Sequence, residues 1–575
     1  MDNFKLPITF LDECYEIPEN TKIDLELTDN SPIYTQMFKS SSPLSLLIIP
    51  QWTSYYTDNK IFLKDTQKII LSNLPQIQST CHDKIFEEWK EIELATNDRD
   101  AFHAKYQFVE WEQLYFMNNN SLFLQILAIT NLASPFMTLI LPILMCIIPF
   151  FIIKLKGAEI DFTTYFTLLK KIFSQHAIGR FFSQESKNPQ EIFAAYASII
   201  FFGFQVYSNI RTCTCFYKNI NTIQSKLFIL KKHLSASIQY MQSFSSNSSK
   251  LTTYQLFNNS LSNHIKILNN YYNKIKNITS PVFELSNYST IGSLMKSFYQ
   301  IYYCDSLKKS LAFSIGFTSY LYNINSIKQL IFTKQINKCK WSNKKSIFYN
   351  QYFPITDQKP ISNHYKSSSN IIITGPNAAG KTTYLKASLF NVIISQQIGY
   401  GFFSSAFFKP FRFIHSYINI PDTSERDSLF QAEARRCKNI IDKIIDKKNT
   451  HFCIFDELYS GTNPDEAIAS GQAFLEYLNS YKNVTFIITT HYTQMCKNIT
   501  NSIKNKSMDI KIENDKYLYT YKLVNGISEI KGGIKVFKEM NYPQSIINKT
   551  QYILLKNSSD SSSLNPSDGR DILNV

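Results

Sequence analysis

Residues 371–383 read IIITGPNAAGKTT. The triplet Ile371-Ile372-Ile373 reads as a buried strand, and Gly375 to Thr382 fits the G-x-x-x-x-G-K-[ST] phosphate loop. A strand that turns through such a loop into a helix commits this part of the chain to an α/β fold. Gly375 and Gly380 let the backbone turn tightly and approach phosphate oxygens, with Pro376, Asn377, Ala378 and Ala379 forming the loop between them. Its N–H groups and the N-terminus of the following helix present partial positive charge. Lys381 is expected to reach the β- and γ-phosphates and Thr382 to offer its hydroxyl to Mg²⁺, with Thr383 a further nucleotide-binding candidate.

A second strand, HFCIF (451–455), ends in Asp456-Glu457. Asp456 is placed to hold the metal through its water shell. Glu457 can orient and polarise an attacking water, which favours hydrolysis over transfer to a second substrate. A third, NVTFIITTHY (483–492), ends in Thr490-His491. A lone histidine is usually structural. One that follows two nucleotide-site strands is a candidate to touch the γ-phosphate region and report its loss.

Charge is unevenly spread. Residues 1–120 hold 10 Lys+Arg against 19 Asp+Glu, whereas 209–370 hold 20 against three, namely Glu284, Asp305 and Asp357. A surplus of that kind suits a polyanion, nucleic acid or an anionic membrane face. Heavy use of Asn, Lys and Ile also fits an AT-rich genome. The ten cysteines include no C-x-x-C pair, and the N-terminus lacks a signal peptide. A reducing intracellular compartment, cytoplasm or nucleus, is expected, with neither disulfides nor zinc.

Five segments follow. Residues 1–120 form an acidic mixed domain, with an extended stretch SLLIIPQW over 45–52, ending at Trp52, and helices near 62–75 and 82–94. Residues 121–208 are apolar. No charge occurs between Glu112 and Lys154, and 132–153 are 22 residues, enough to cross a bilayer as a helix. Ser134-Pro135 would serve there as N-cap and first helical residue. Pro142 and Pro149 would break hydrogen bonds in a water-soluble helix. A second run, 192–208, is marginal in length. Residues 209–350 show helical stripes, such as Ile223, Leu227, Leu230 and Leu234, interrupted by a Ser-rich turn near 243–253. Residues 351–556 hold the nucleotide motifs, and 557–575 read as a disordered tail.

The C-terminal motifs resemble the ATPase domain of the MutS family, mismatch-repair and recombination ATPases of the ABC class. TGPNAAGKTTYLKA, DELYSGTNPDEAIASGQAFLEYL and TTHYTQM match that family's loops in order, over roughly 365–555. The segment IPDTSERDSLFQAEARRCKNIID (420–442) is similar to the family's SGxSTF element. The resemblance places Ser428 against the γ-phosphate of a partner protomer, with Glu433 near it. The glycine of SGxS is missing, and Arg426 is a substitute candidate for that contact. The resemblance implies ATP and Mg²⁺ as ligands, a dimer with itself or a paralogous MutS-like partner, DNA as substrate, and a helical core and lever region upstream. A mismatch-reading domain is not recognisable. Its Phe-x-Glu wedge has only the chance matches Phe86-Glu87-Glu88 and Phe108-Val109-Glu110, in acidic surroundings unsuited to a phosphate backbone.

Two functions compete. One is a DNA-acting ATPase in mismatch repair or recombination that closes as a dimer on ATP, with Glu457 and His491 as catalytic residues. The other is a membrane-anchored MutS-related ATPase that contacts a bilayer through 132–153, with DNA binding secondary. A transport ATPase is disfavoured because the chain lacks LSGGQ and holds too few apolar spans.

Overall fold

In the computed structural model, Ile371–Thr374 is a fully buried strand at the heart of a six-stranded sheet. The described residues are 3–560 apart from 28–31, 39–41, 76, 78–81, 96–98, 158–159, 176–188, 345, 355–359, 367–368, 419–427, 514–515, 529, 531–533, 535–536 and 539.

The strands in chain order are β1 (Cys14–Glu16), β2 (Tyr55–Thr57), β3 (Asn337–Trp341), β4 (Ile347–Gln351), β5 (Asn363–Lys366), β6 (Ile371–Thr374), β7 (Tyr400–Gly401), β8 (Ser405–Phe408), β9 (Phe413–Tyr417), β10 (His451–Asp456), β11 (Val484–Thr490), β12 (Lys504–Glu513) and β13 (Lys516–Asn525). The large sheet has the order β13-β12-β6-β11-β10-β9 and is parallel except for the edge strand β13. Side chains alternate between two cores, as a sheet covered on both faces requires. Ile371, Ile373, Phe452, Ile454 and Ile487 join one cluster, while Ile372, Cys453, Phe455, Phe486 and Ile488 join the other. A five-stranded sheet, β5-β4-β8-β3-β7, lies beside it in sequence.

The helices that matter here are α1 (Glu19–Asp24), α2 (Lys60–Leu71), α3 (His82–Ala95), α4 (Ser121–Leu155), α5 (Phe162–Gln175), α6 (Pro189–Ser248), α7 (Gln255–Ile275), α8 (Ile291–Tyr303), α9 (Asp305–Phe332), α10 (Lys381–Ile398), α11 (Leu429–Ile444), α12 (Pro464–Asn479) and α13 (Gln544–Asp560). The helical stripe expected on α6 is buried: Ile223, Leu227, Leu230 and Leu234 pack against α7 and α9.

Residues 3–75 wedge between this helical bundle and α10. Polar side chains make the joint. Gln397 Nε2 donates to the Trp52 and Tyr55 carbonyls at 2.6 and 2.7 Å, and Gln396 Nε2 donates to the Thr57 carbonyl at 3.0 Å. Trp52 Nε1 in turn donates to Asn323 Oδ1 of α9 at 2.9 Å. A single buried apolar cluster therefore runs from Phe4 through Phe313 to Ile393.

Three sequence expectations fail. The stretch around 45–52 is not extended: Pro43–Leu46 is a 3₁₀ turn and Ile49–Trp52 a short helix, each opened by a proline near its first position. The apolar helix does not begin at Ser134. It starts thirteen residues earlier, where Asn120 Oδ1 accepts from the Leu122 and Phe123 amides. Pro135 then lies within α4, and the carbonyl it strands, that of Asn131, accepts from Ser134 Oγ at 3.0 Å. The Ser-rich segment does not break α6 at 243 either, because the helix continues to Ser248. Ser248 Oγ donates back to the Phe244 carbonyl at 2.8 Å, which lets serine stay helical.

Both Phe-x-Glu matches lie in the fold as core. Phe108 is buried against Phe102 and Tyr299, and Phe86 packs against the same core from α3. Helix α13 carries the chain to Asp560, and the remainder of the tail, from 561, lies outside the described residues.

Candidate functional site

Strand order builds the site. β11 lies between β6 and β10, with Thr490 level with Thr374 and Asp456 level with Thr489. The phosphate loop after β6, the Asp456-Glu457 pair after β10 and His491 after β11 therefore leave the sheet side by side. The carboxyl end of a parallel sheet is where such folds bind ligands.

The loop itself is set by backbone conformation. Ala378 has φ +62° and Gly380 φ +92°. A Cβ on Gly380 would meet the Tyr521 ring at 3.0 Å, so glycine serves there both for its left-handed backbone and for space. Gly375 and Pro376 are buried, Asn377 and Ala378 exposed, and Ala379 buried against the core. Gly380 is the N-cap of α10 and brings no side chain to its first amides, and that first turn holds no acid. The chemistry fits an anion: uncapped amides at a helix N-terminus, with lysine beside them.

Lys381 is 5% exposed. Its Nζ donates to the Gly375 carbonyl at 2.8 Å and the Pro376 carbonyl at 3.3 Å, and lies 3.0 Å from His491 Nε2 and 3.8 Å from Glu457 Oε1. Burial lowers its pKa from the ordinary lysine value, while Glu457 and Asp456 oppose that shift. Thr382 Oγ1 donates to Asp456 Oδ2 at 2.6 Å, and Thr489 Oγ1 bonds the other oxygen, Oδ1. Thr382 and Asp456 thus form an oxygen pair suited to a magnesium ion and its waters. Thr383 is exposed at the head of α10.

Glu457 holds a left-handed backbone, φ +52°, tethered by its N–H to the Thr489 carbonyl at 3.1 Å. Its Oε1 lies 2.7 Å from His491 Nε2. That hydrogen bond, aided by Lys381, lowers the carboxyl pKa below its ordinary value and keeps the group ionised. One histidine nitrogen faces both a lysine and a carboxylate. It can accept from Lys381 or donate to Glu457, and cannot do both at once.

Ser428 bonds within the head of its own helix. It is the N-cap of α11, with its Oγ accepting from the Gln431 amide at 3.3 Å and its own N–H donating to Gln431 Oε1 at 3.0 Å. This is a capping box, and it leaves the helix head exposed. Arg426 and the rest of 424–427 lie outside the described residues.

Sequence reasoning missed what Glu433 bonds and missed Asp24 altogether. Glu433, 2% exposed on α11, accepts from the Ser460 amide at 3.1 Å, the Ser460 hydroxyl at 3.0 Å and the Gly461 amide at 3.2 Å. It ties α11 to the loop that follows Glu457. Helix α1 closes the other side: Asp24 Oδ2 accepts from Arg436 Nη2 at 2.8 Å and from the Ile418 amide at 3.2 Å. Between them opens a cleft of about 450 Å³ lined by Asn20, Ile23, Glu433, Asp456, Glu457 and Ser460. No local signal ties residue 24 to residue 436; Glu433 was noticed only for its closeness to Ser428.

Comparison with known proteins agrees with this geometry. The family model for MutS domain V matches residues 371–557. The chain is 32% identical over 206 residues to MutS protein homolog 4 of Mus musculus, covering 34% of this chain and 21% of that protein. It is 29% identical over 199 residues to DNA mismatch repair protein MutS of Chlamydia abortus, 34% of this chain and 24% of the other. It is 31% identical over 191 residues to Endonuclease MutS2 of Fusobacterium nucleatum, 32% of this chain and 23% of the other. The matches thus span between a fifth and a quarter of those relatives' lengths. The C-terminal third of the chain, residues 371–557, is thus similar to MutS domain V.

Proposed function

We propose that this protein hydrolyses ATP and uses the cycle to act on DNA, as a dimer of two such ATPase domains, in mismatch repair or recombination. One observation carries the reading: Lys381, Thr382, Asp456, Glu457 and His491 converge at the carboxyl ends of three adjacent strands. The amides around Gly380 and the Lys381 ammonium would hold the phosphates. Thr382 and Asp456 would hold Mg²⁺, which supplies charge neutralisation to the leaving phosphates. Glu457, ionised by its hydrogen bond to His491, is the group that accepts a proton from water. His491 changes partner when Lys381 leaves the Gly375 and Pro376 carbonyls, so its tautomer reports the state of the loop. The exposed head of α11, with Ser428, offers the surface for a partner protomer's phosphate, and Arg426, two residues earlier in sequence, is the substitute candidate for that contact.

DNA as substrate is supported by the relatives' printed names and by the basic surplus of 209–370. We infer the same five segments as functional divisions, with 209–350 as the core and lever region. The nine described cysteines are all free thiols, compatible with a reducing compartment.

The decisive experiment is Glu457→Gln. Loss of a general base typically costs 10²–10⁴-fold in turnover. We expect kcat to fall by roughly that factor while ATP affinity stays within about threefold, whereas Lys381→Met should lose ATP binding. Unchanged turnover in Glu457→Gln would overturn the assignment.

A further inference from the structure

Helices α4 and α6 leave the protein together as an arm that no core covers. Asn209 Nδ2 donates to Thr138 Oγ1 at 2.5 Å, and Cys213 Sγ to the Leu132 carbonyl at 3.4 Å. The two helices therefore run antiparallel, and this register sets 136–153 of α4 beside 192–210 of α6. Neither stretch contains a charge. Lys154 and Lys156 follow the first, and Glu191 and Arg211 bracket the second. At 1.5 Å per residue these 18 and 19 residues are about 27–29 Å long. The hydrocarbon of a bilayer is about 30 Å thick.

The arm is apolar all round. Phe136, Ile143, Phe151, Phe193, Phe201 and Phe204 are each more than half exposed. Ser121–Leu141 alone, among the described residues, is long and apolar enough to count as a span, and only 11% of its apolar window is buried. Helices apolar on every side belong in a core or in lipid, and this exposure leaves the arm outside the chain's own core. Two hydroxyls on the arm bond within their own helices, as hydrocarbon surroundings demand: Thr138 Oγ1 donates to the Ser134 carbonyl and Ser198 Oγ to the Ala194 carbonyl, both at 2.8 Å.

Helix α5 meets the far end of the arm at its first turn. Tyr165 Oη donates to the Cys146 carbonyl at 2.7 Å, and the Phe162 ring lies 5.5 Å from that of Phe150. Helical periodicity groups Phe162, Tyr165, Phe166, Leu169 and Ile172 on one side of α5 and Thr163, Thr167, Lys170 and Lys171 on the other. That is the form of a helix lying in the plane of a membrane surface.

We propose that the arm enters a lipid bilayer, with α4 and α6 crossing it as a hairpin and α5 lying on the far surface, its lysines toward headgroup phosphates. This goes beyond the nucleotide reading and does not depend on it.

The test uses the full chain and sealed vesicles of phosphatidylcholine with one quarter phosphatidylglycerol. The protein should float with the vesicles and resist carbonate extraction. Trypsin added outside should cut at Lys154 and Lys156 only after detergent is added. An Ile143→Lys/Phe201→Lys double variant, with both charges near mid-span, should lose flotation yet keep the ATPase rate of the parent, which shows that it folds. Three results would overturn the proposal: a parent chain that stays in the aqueous fraction, a discrete oligomer that covers the arm without lipid, or tip lysines cut in intact vesicles.

Discussion

Removing the Glu433 carboxylate should loosen the loop after Glu457 more than it unfolds the protein. Its two oxygens receive three hydrogen bonds, from the Ser460 amide, the Ser460 hydroxyl and the Gly461 amide. A hydrogen bond to a charged group is worth about 1.5–3 kcal/mol net, and an unpaired buried donor costs about 1–3 kcal/mol. Ser460 and Gly461 are themselves exposed, so water can reach the freed donors. The low end of the range then applies: about 2–3 kcal/mol for Glu433→Ala, including the small void left at a 2% exposed position. Glu433→Gln keeps one acceptor oxygen but turns an NH₂ toward an N–H donor. It should cost about half as much. Chemical denaturation followed by tryptophan fluorescence gives the stability order, parent above Gln above Ala. Steady-state kinetics should show kcat falling in the same order with little change in ATP affinity, because Glu433 touches neither Lys381 nor Thr382. An alanine variant within 0.5 kcal/mol of the parent, the ordinary range for a neutral surface change, and with full turnover would refute the coupling.

Asp24 and Arg436 form a nearly dry ion pair, with side chains 0% and 12% exposed. Each single truncation should cost about 3–5 kcal/mol by leaving a buried charge unpaired. The double variant Asp24→Ala/Arg436→Met should cost clearly less than the sum, and strict additivity in thermal unfolding would contradict the pairing. His415 Nε2 and His451 Nδ1 lie 3.1 Å apart, and burial lowers their pKa values to about 3 and about 4. The unfolded chain therefore takes up protons first as pH falls. Stability from this pair is complete above the unfolded value near 6.5 and is lost progressively toward pH 4. Melting temperature measured from pH 7.5 down to 5 should drop, and less steeply in His415→Gln; equal slopes would exclude the pair as the cause.

The candidate site was legible as a set of residues because its parts are short and local. A glycine loop between a strand and a helix, an acid pair at a strand end and a histidine at another are each written within a few residues. Only strand order was needed to join them, and β11 between β6 and β10 supplied it. Thr489, which shares Asp456 with Thr382, and the three-bond anchor made by Glu433 depend on side-chain directions that no spacing encodes. How residues 3–75 attach to the rest of the protein was illegible for a related reason. Their anchors, Trp52 to Asn323 and Gln397 to Trp52, join positions hundreds of residues apart. The stretch at 45–52 was misread because a short apolar run fits a buried helix as well as a strand. Pro43 and Pro50 near helix starts were the available clue. Asn120 was likewise an overlooked cap, passed over for the Ser134-Pro135 pair that happens to lie inside the helix.

The uninterrupted length of α6 has a mechanical consequence. Its 60 residues make a rod about 90 Å long. The half from Phe216 onward is gripped by the body, while the 27 residues before it, about 40 Å, project freely beside α4. A rigid rod clamped at one end turns angle into distance. A tilt of about 10° at Phe216 would sweep the far end through about 7 Å. Small rearrangements deep in the bundle would thereby become displacements broader than a side chain at the outermost turn.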